Sequence, residues 1–387
     1  MNNNPMRASE IRIHNINMVL TQIYKNRDKG ISQSELVSET GLKAPTIFRI
    51  FNELEKRGSI KAIKSSKVKN NINKESKKGR KPLLYTIVPN SVYSITIEFY
   101  AGSLCIGLFN FSEEKISEID SSIDENLEIE GVIDLMISQV EEIILDNKIK
   151  KEKILGISIA APGQVDIINR SVLYYPLIKG LVNYPLAEVL ERRLNLNIII
   201  QNNCSALAFG EYLYGDIEHD NSLFTFNLRR GVNGALVHNG EIYQTIRGTT
   251  LEIGHIPINF DGPKCTYSRK GCLQAYILNI DTEPSNPIFS DLEDNPDKEK
   301  VDNILEEAAR YLTFGMEAII TFYSPSTFII ETCSEKVSKI LAEKVQRNLE
   351  KSKETSFIPH VSVYGKKYDK LITQLGLVEL LIRNYLE

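Results

Sequence analysis

Asn202 and Asn203 end a run of three β-branched residues, Ile198-Ile199-Ile200, and stand before a helical pattern, Ala206-Leu207-Ala208-Phe209. Such a run reads as a strand buried on both faces of a parallel sheet. Ligands of open α/β sheets sit outside the carboxyl ends of strands, which is where the two asparagines fall. An enzyme that phosphorylates a hydroxyl needs a carboxylate there to take the proton, and an amide cannot. The plainer role is to shape a turn and cap the next helix. On either reading the position lacks a base. Further on, Gly248-Thr249-Thr250-Leu251-Glu252-Ile253-Gly254-His255 sets a carboxylate and an imidazole between glycines, a compact grip for sugar hydroxyls. Cys265 and Cys272 follow, bracketing Gly271, and with His255 they make three soft-metal ligands.

Those residues need an α/β body to hold them. Tyr93–Phe99 and Leu104–Phe109 read as a hairpin turning at Tyr100–Ser103, Ile129–Leu145 as an amphipathic helix, and Ile154–Ile159 as a strand ending at Ala160-Ala161-Pro162-Gly163. Helix Leu186–Leu194 leads to the Ile198 strand and completes one lobe of a doubly wound fold. A second lobe opens with strand Leu223–Leu228, loop Arg230–Gly234 and strand Ala235–Val237. The acidic segment Asp281–Lys300, with its three prolines, reads as a surface loop.

In front of the body lies a different kind of segment. Ile16, Val19, Leu20 and Ile23 fall on one helix face. Ser32-Gln33-Ser34-Glu35 is a capping box for a short second helix carrying Leu36 and Val37. Thr40-Gly41-Leu42 breaks it, and Pro45 suits the first turn of a third helix whose inner face is Ile47, Ile50, Phe51 and Leu54. Lys43, Thr46, Phe48, Arg49 and Asn52 then point outward, as on a recognition helix. Between strands Ser59–Ile63 and Leu83–Val88 runs Lys64–Lys81, with eight lysines and arginines against Glu75 alone, the shape of a wing that lies on phosphates.

Charge agrees with this division. Residues 1–85 hold 18 basic against 7 acidic side chains, +11, and the remainder 28 against 43, −15, for a total of −4. A basic head on an acidic body suits a head that meets a polyanion. No run of about 18 apolar residues and no leader pattern occurs, so neither membrane span nor secretion is expected. Five scattered cysteines suit a reducing cytoplasm.

Taken together, these motifs resemble the ROK family of repressors and sugar kinases, and more narrowly its transcriptional regulators, the group of the xylose and N-acetylglucosamine repressors. The resemblance rests on Gly41-Leu42-Lys43-Ala44-Pro45-Thr46, on Gly79-Arg80-Lys81-Pro82, on Ala161-Pro162-Gly163, on Asn202, and on Leu251-Glu252-Ile253-Gly254-His255. It implies an N-terminal winged helix-turn-helix before a two-lobed, actin-like sugar kinase fold. The expected domains are residues 1–88 for DNA binding, 89–200 for the first lobe, and 201–387 for the second, the last helix packing back on the first. DNA contacts are implied for Lys43, Pro45, Thr46, Phe48, Arg49, Asn52, Arg80 and Lys81. Sugar contacts are implied for Asn202, Asn203, Glu252 and His255.

The departures from the family pattern bear on function. The first phosphate loop, D-x-G-G-T, corresponds to Glu98-Phe99-Tyr100-Ala101-Gly102, where Tyr100 removes a close backbone approach. The second corresponds to Leu228–Gly234, with Arg230 in place of a small residue. Asn203 replaces the catalytic aspartate, and Glu331-Thr332 replace the adenosine-side glycines, Glu331 placing a negative charge about where nucleotide would dock. Leu177 and Gln274 replace two further sugar contacts. Tyr267 replaces a zinc cysteine, so His255, Cys265 and Cys272 are one ligand short of a structural set and could hold zinc with a water. The expected protein is a cytoplasmic, non-catalytic repressor of carbohydrate genes that binds no ATP. It would be a homodimer or dimer of dimers on an operator, with a sugar or sugar-phosphate effector between its lobes. The rivals are a ROK sugar kinase with an appended head, and a dimerising DNA-binding protein that has lost its ligand.

Overall fold

The apolar face Ile16, Val19, Leu20 and Ile23 does close a head, in a computed structural model that describes residues 7–63, 83–124, 126–265, 269–280, 288–353 and 359–387. The head runs α1 (Ala8–Lys25), β1 (Ile31–Ser32), α2 (Gln33–Thr40), α3 (Ala44–Lys56), β2 (Ile60–Ile63) and β3 (Leu84–Ile87). The capping box forms as its spacing requires: Ser32 Oγ accepts the Glu35 amide at 3.3 Å and Glu35 Oε2 accepts the Ser32 amide at 2.8 Å. Ile47, Ile50, Phe51 and Leu54 are all buried on α3. The sheet has the order β1-β3-β2, and its two-residue first strand has no counterpart in the sequence reading. Residues 64–82, including Arg80, Lys81 and nearly all of the expected wing, lie outside the described residues.

The body repeats one topology. A meander of β4 (Tyr93–Tyr100), β5 (Ser103–Asn110) and β6 (Lys115–Ser121) is followed by α4 (Ile129–Asp146) and the parallel strand β7 (Ile154–Ala161). A small sheet comes next, of β8 (Gln164–Asp166), β9 (Ser171–Tyr174) and β10 (Val182–Tyr184). Helix α5 (Leu186–Leu194) then leads to β11 (Ile198–Asn202), and the five-stranded order is β11-β7-β4-β5-β6. After α6 (Asn203–Tyr214), strands β12 (Ser222–Leu228), β13 (Val232–His238) and β14 (Glu241–Ile242) form a second meander. Helices α7 (Leu273–Ile280) and α8 (Lys298–Tyr323), β15 (Thr327–Thr332), α9 (Glu335–Lys353) and β16 (Ser362–Lys367) follow, giving the order β14-β13-β12-β15-β16. The chain closes with α10 (Lys370–Leu386). Each sheet is thus a meander with two parallel strands added at its first member, the two-lobed architecture expected.

Three sequence expectations are corrected here. Among the described residues β11 is an edge strand with β7 as its one neighbour, and Ile199 is half-buried, so the strand is not fully covered on both faces. β13 begins at Val232, so the loop expected over Arg230–Gly234 shrinks to a tight turn. Ile288, Phe289 and Leu292 are buried in the second lobe's core, so the segment expected as a surface loop is in part an anchor.

Helices α6 and α10 lie between the lobes, α6 against β12 and β13, α10 against β4 and β7. They touch backbone to backbone. A Cβ on Gly210 would fall 2.0 Å from the Ile372 carbonyl oxygen, so only glycine permits the approach. The head does not hang on a linker: its core residues share one cluster with Phe109, Phe111, Val378, Ile382 and Leu386 of the body. No helix among the described residues is long and apolar enough to cross a membrane.

Candidate functional site

The cleft between the lobes is built where β11 hands over to α6. Asn202 caps α6, its Oδ1 accepting the amides of Cys204 (2.9 Å) and Ser205 (3.3 Å). Its Nδ2 donates to the Gly163 carbonyl at 2.8 Å, which ties the Ala161-Pro162-Gly163 turn to the helix start. Gly163 has φ 72°, and a Cβ there would lie 2.3 Å from the Tyr174 oxygen. Asn202 thus caps α6 and braces the Gly163 turn. Asn203 is different: Nδ2 donates to the Phe99 carbonyl at 3.2 Å, while its buried Oδ1 has no protein partner among the described residues.

The second lobe meets this wall through the Gly248 loop. Ile167 N–H donates to the Gly248 carbonyl at 3.0 Å, and Asp166 pairs with Thr249. Segment 163–167 therefore touches both Asn202 and the loop leading to Glu252. Ile253–His255 form one tight helical turn, with Glu252 before it. Burial pushes the Glu252 carboxyl above its usual range, and no hydrogen bond to it is made among the described residues. Burial, and then the Arg269 cation, lower His255, favouring the neutral imidazole. His255, Cys265 and Cys272 come together with their ligand atoms within 4.8 Å of one another, and the two sulfurs are 3.4 Å apart. Tetrahedral zinc holds two thiolates about 3.8 Å apart, so the set fits a zinc ion with one open position. Tyr267 lies outside the described residues.

A polar knot joins the two lobes, and nothing in the sequence marks it. Arg229, at the end of β12, reaches across to Glu98 on β4 (Nη2 to Oε1, 3.3 Å). Its guanidinium lies 3.5 Å from the ring centre of Tyr368 and 5.4 Å from that of Tyr100. The Tyr368 hydroxyl is 2.6 Å from both oxygens of Glu98. Arg230 also approaches Tyr100, at 5.3 Å from its ring centre. Glu98 is 4% exposed and the Arg229 side chain 16%. Glu331, expected as a charge facing the nucleotide, is fully buried on β15, and neither carboxyl oxygen has a hydrogen-bond partner among the described residues. Burial, then Glu211, pushes it well above the usual carboxylate range, favouring the protonated form. It presents no charge to the cleft.

On the head, Lys43, Pro45, Phe48, Arg49 and Asn52 are exposed along α3 and Thr46 is half-buried, a continuous outward face. Phe48 is 56% exposed on that face.

A sequence profile of the ROK family matches residues 124–368. The chain belongs to the ROK family. It is 24% identical over 324 residues to a xylose repressor of Bacillus spizizenii, covering 82% of this chain and 81% of that one. A solved ROK family transcriptional regulator, a homolog of the E. coli MLC protein, superposes with TM-score 0.75 over 97% of this chain and 99% of its own, at 20% identity. A ROK glucokinase from Streptomyces griseus, solved with glucose and AMPPNP, gives 0.61 over 74% of this chain and 98% of its own, at 19%. The regulator aligns with head and body together. The kinase aligns over three quarters of the chain.

Measured against the ROK pattern, the positions of the first phosphate loop are those of the knot: Glu98 and Tyr100 hold Arg229 rather than leave a cradle of free amides. Gln274 is likewise engaged, its Oε1 accepting the Val232 amide at 3.1 Å. Leu177 is 58% exposed and makes no polar contribution. Tyr368 was missed because nothing local marks it; only its meeting with Glu98, 270 residues away in sequence, gives it a role.

Proposed function

We propose that this ROK protein is a DNA-binding transcriptional repressor of carbohydrate genes, controlled by a sugar or sugar phosphate held between its lobes, and that it transfers no phosphate. The observation that carries the reading is a pair of acceptors that no described residue donates to, the buried Asn203 Oδ1 and the half-buried Glu252 carboxyl. Buried acceptors without donors cost stability, and a ligand rich in hydroxyls supplies donors to both. Asn203 can orient a hydroxyl but cannot deprotonate it. Arg229, Tyr368 and Glu98 neutralise one another where a kinase would leave its cations free for phosphates.

His255, Cys265 and Cys272 would hold zinc, which when bound cross-links the Glu252 loop to the segment before α7. His255 then serves the ion through one nitrogen and leaves the other for orientation. On the head, Lys43, Pro45, Thr46, Phe48, Arg49 and Asn52 meet DNA, with Arg80 and Lys81 on the wing. A palindromic operator calls for two heads, hence a homodimer or a dimer of dimers.

Calorimetric titration with D-xylose, D-glucose, N-acetylglucosamine and N-acetylglucosamine 6-phosphate tests the reading. One of these should bind, and Glu252→Ala should weaken it by about 1–3 kcal/mol. Sugar-dependent ADP release at millimolar ATP would refute it.

A further inference from the structure

α6 does more than begin at the cleft. Its 12 residues span about 18 Å, and all of Cys204–Glu211 is buried. At its far end the Tyr214 hydroxyl donates to Glu113 Oε1 at 2.5 Å. Glu113 lies on the β5–β6 turn and has φ 64°, a left-handed conformation that a glutamate adopts only when its surroundings hold it. The same carboxylate pairs with Arg27 of the head. The Tyr24 hydroxyl of α1 sits between Glu113 Oε1 (2.5 Å) and Glu379 Oε2 of α10 (2.8 Å). A phenol has one proton, so Tyr24 donates to only one of the two carboxylates at a time. Arg383 completes the ring: it pairs with Glu379 at 2.8 Å, lies 4.8 Å from the Phe209 ring of α6, and donates to the Gly240 carbonyl of the second lobe at 2.9 Å.

We propose that the Tyr214–Glu113–Tyr24 cluster is the relay by which occupancy of the cleft reaches the DNA-binding head, with α6 as the rod. This inference rests on the sugar-sensing reading above. The rod is stiff because Gly210 seats it against the α10 backbone, so a shift at Asn203 cannot dissipate along the helix. The switch is two-state because Tyr24 has two acceptors, one on the first lobe's hairpin and one on α10. Here both phenols reach Glu113 Oε1 at 2.5 Å and compete for it; a tighter Tyr214 contact displaces Tyr24 toward Glu379, and withdrawal of Tyr214 leaves Tyr24 on Glu113. Arg27 and the stack of Tyr24 on Phe111, 5.5 Å between centres, carry the change into α1. Signal transfer by a discrete two-state element is what coupling between distant sites requires.

Hydrogen exchange on the full chain tests this without a known effector. Asn203→Ala perturbs the cleft end of the rod. It should change amide exchange at the end of α1 and in α3 by at least about threefold, the sign reporting which Tyr24 state it favours. In a Tyr214→Phe background the same substitution should leave those head peptides unmoved, although Tyr214→Phe shifts their baseline. Glu113→Gln, which keeps the size but not the charge, should abolish the response equally. A head response of the same size in all three backgrounds, or none in wild type, overturns the relay. Adding the four sugars to wild type reports separately on the reading beneath it: no protection of peptides 200–206 by any of them counts against sugar sensing, while the mutant comparison still decides the relay.

Discussion

Arg229→Met removes the cation of the interlobe knot while keeping most of its apolar stem. The loss is set by what stays behind: Glu98, 4% exposed, keeps the Tyr368 hydroxyl as a donor but loses its counter-charge. Breaking a buried ion pair from one side costs about 3–5 kcal/mol, because a buried charge is left uncompensated. The stacked guanidinium on Tyr368 adds a contact worth on the order of 2 kcal/mol when desolvated. Glu98→Gln in the same protein should restore much of the loss, since the residual charge is gone. Urea unfolding of wild type, the two single variants and the double variant, followed by circular dichroism, gives the coupling energy. We expect at least about 1.5 kcal/mol. Additivity within about 0.5 kcal/mol would show that the two groups do not act as a pair, and the argument that the knot replaces phosphate chemistry would fall with it.

Other substitutions probe other parts of the account. Glu331 has its folded pKa raised, so its penalty is absent below the unfolded value of 4.5 and grows as pH rises toward the folded one. Glu331→Met should therefore raise the melting temperature more at pH 8 than at pH 5, and an equal shift at both would refute the buried assignment. Gly210→Ala pushes a methyl into the Ile372 carbonyl and should cost about 1–3 kcal/mol or more in chemical unfolding; a neutral result would mean α6 and α10 are not in backbone contact. Arg49→Ala should flatten sequence preference in a binding selection while general DNA affinity falls little, whereas preference kept intact would move the recognition face elsewhere.

Much of the head was legible because its helices carry their own signals. The four inner residues of α3 and the Ser32–Glu35 box are local patterns, and the structure keeps each. β1, only two residues long, has no period to detect. In the body, the hairpin, α4, α5 and β11 were readable from apolar spacing, but the environment of β11 was not: Ile198-Ile199-Ile200 looks alike at a sheet's centre and at its edge. The cleft was half legible. Asn203 and Glu252 stand out by type and place, and the structure sets Asn203 at the start of α6 and Glu252 before the Ile253–His255 turn. The knot was invisible because Glu98, Arg229 and Tyr368 are 131 and 270 residues apart and each alone reads as an ordinary polar side chain. Glu331 misled for the opposite reason. Carboxylates are almost never fully buried without a partner, so a glutamate at the position of the adenosine-side glycines reads as a charge where nucleotide would dock, whereas Glu331 is fully buried.

The central claim is that a cleft for sugar governs a head for DNA in one chain. Its most direct test is fluorescence anisotropy on genomic fragments selected by the immobilised protein, with and without the sugar that calorimetry identifies, for the full chain and for the chain lacking residues 1–85. The full chain should bind those fragments with an affinity that the sugar changes by about 5- to 150-fold, and that falls steeply with salt. The shortened chain should bind the sugar and no DNA. DNA binding that survives removal of the head, or that no sugar alters, would contradict the account.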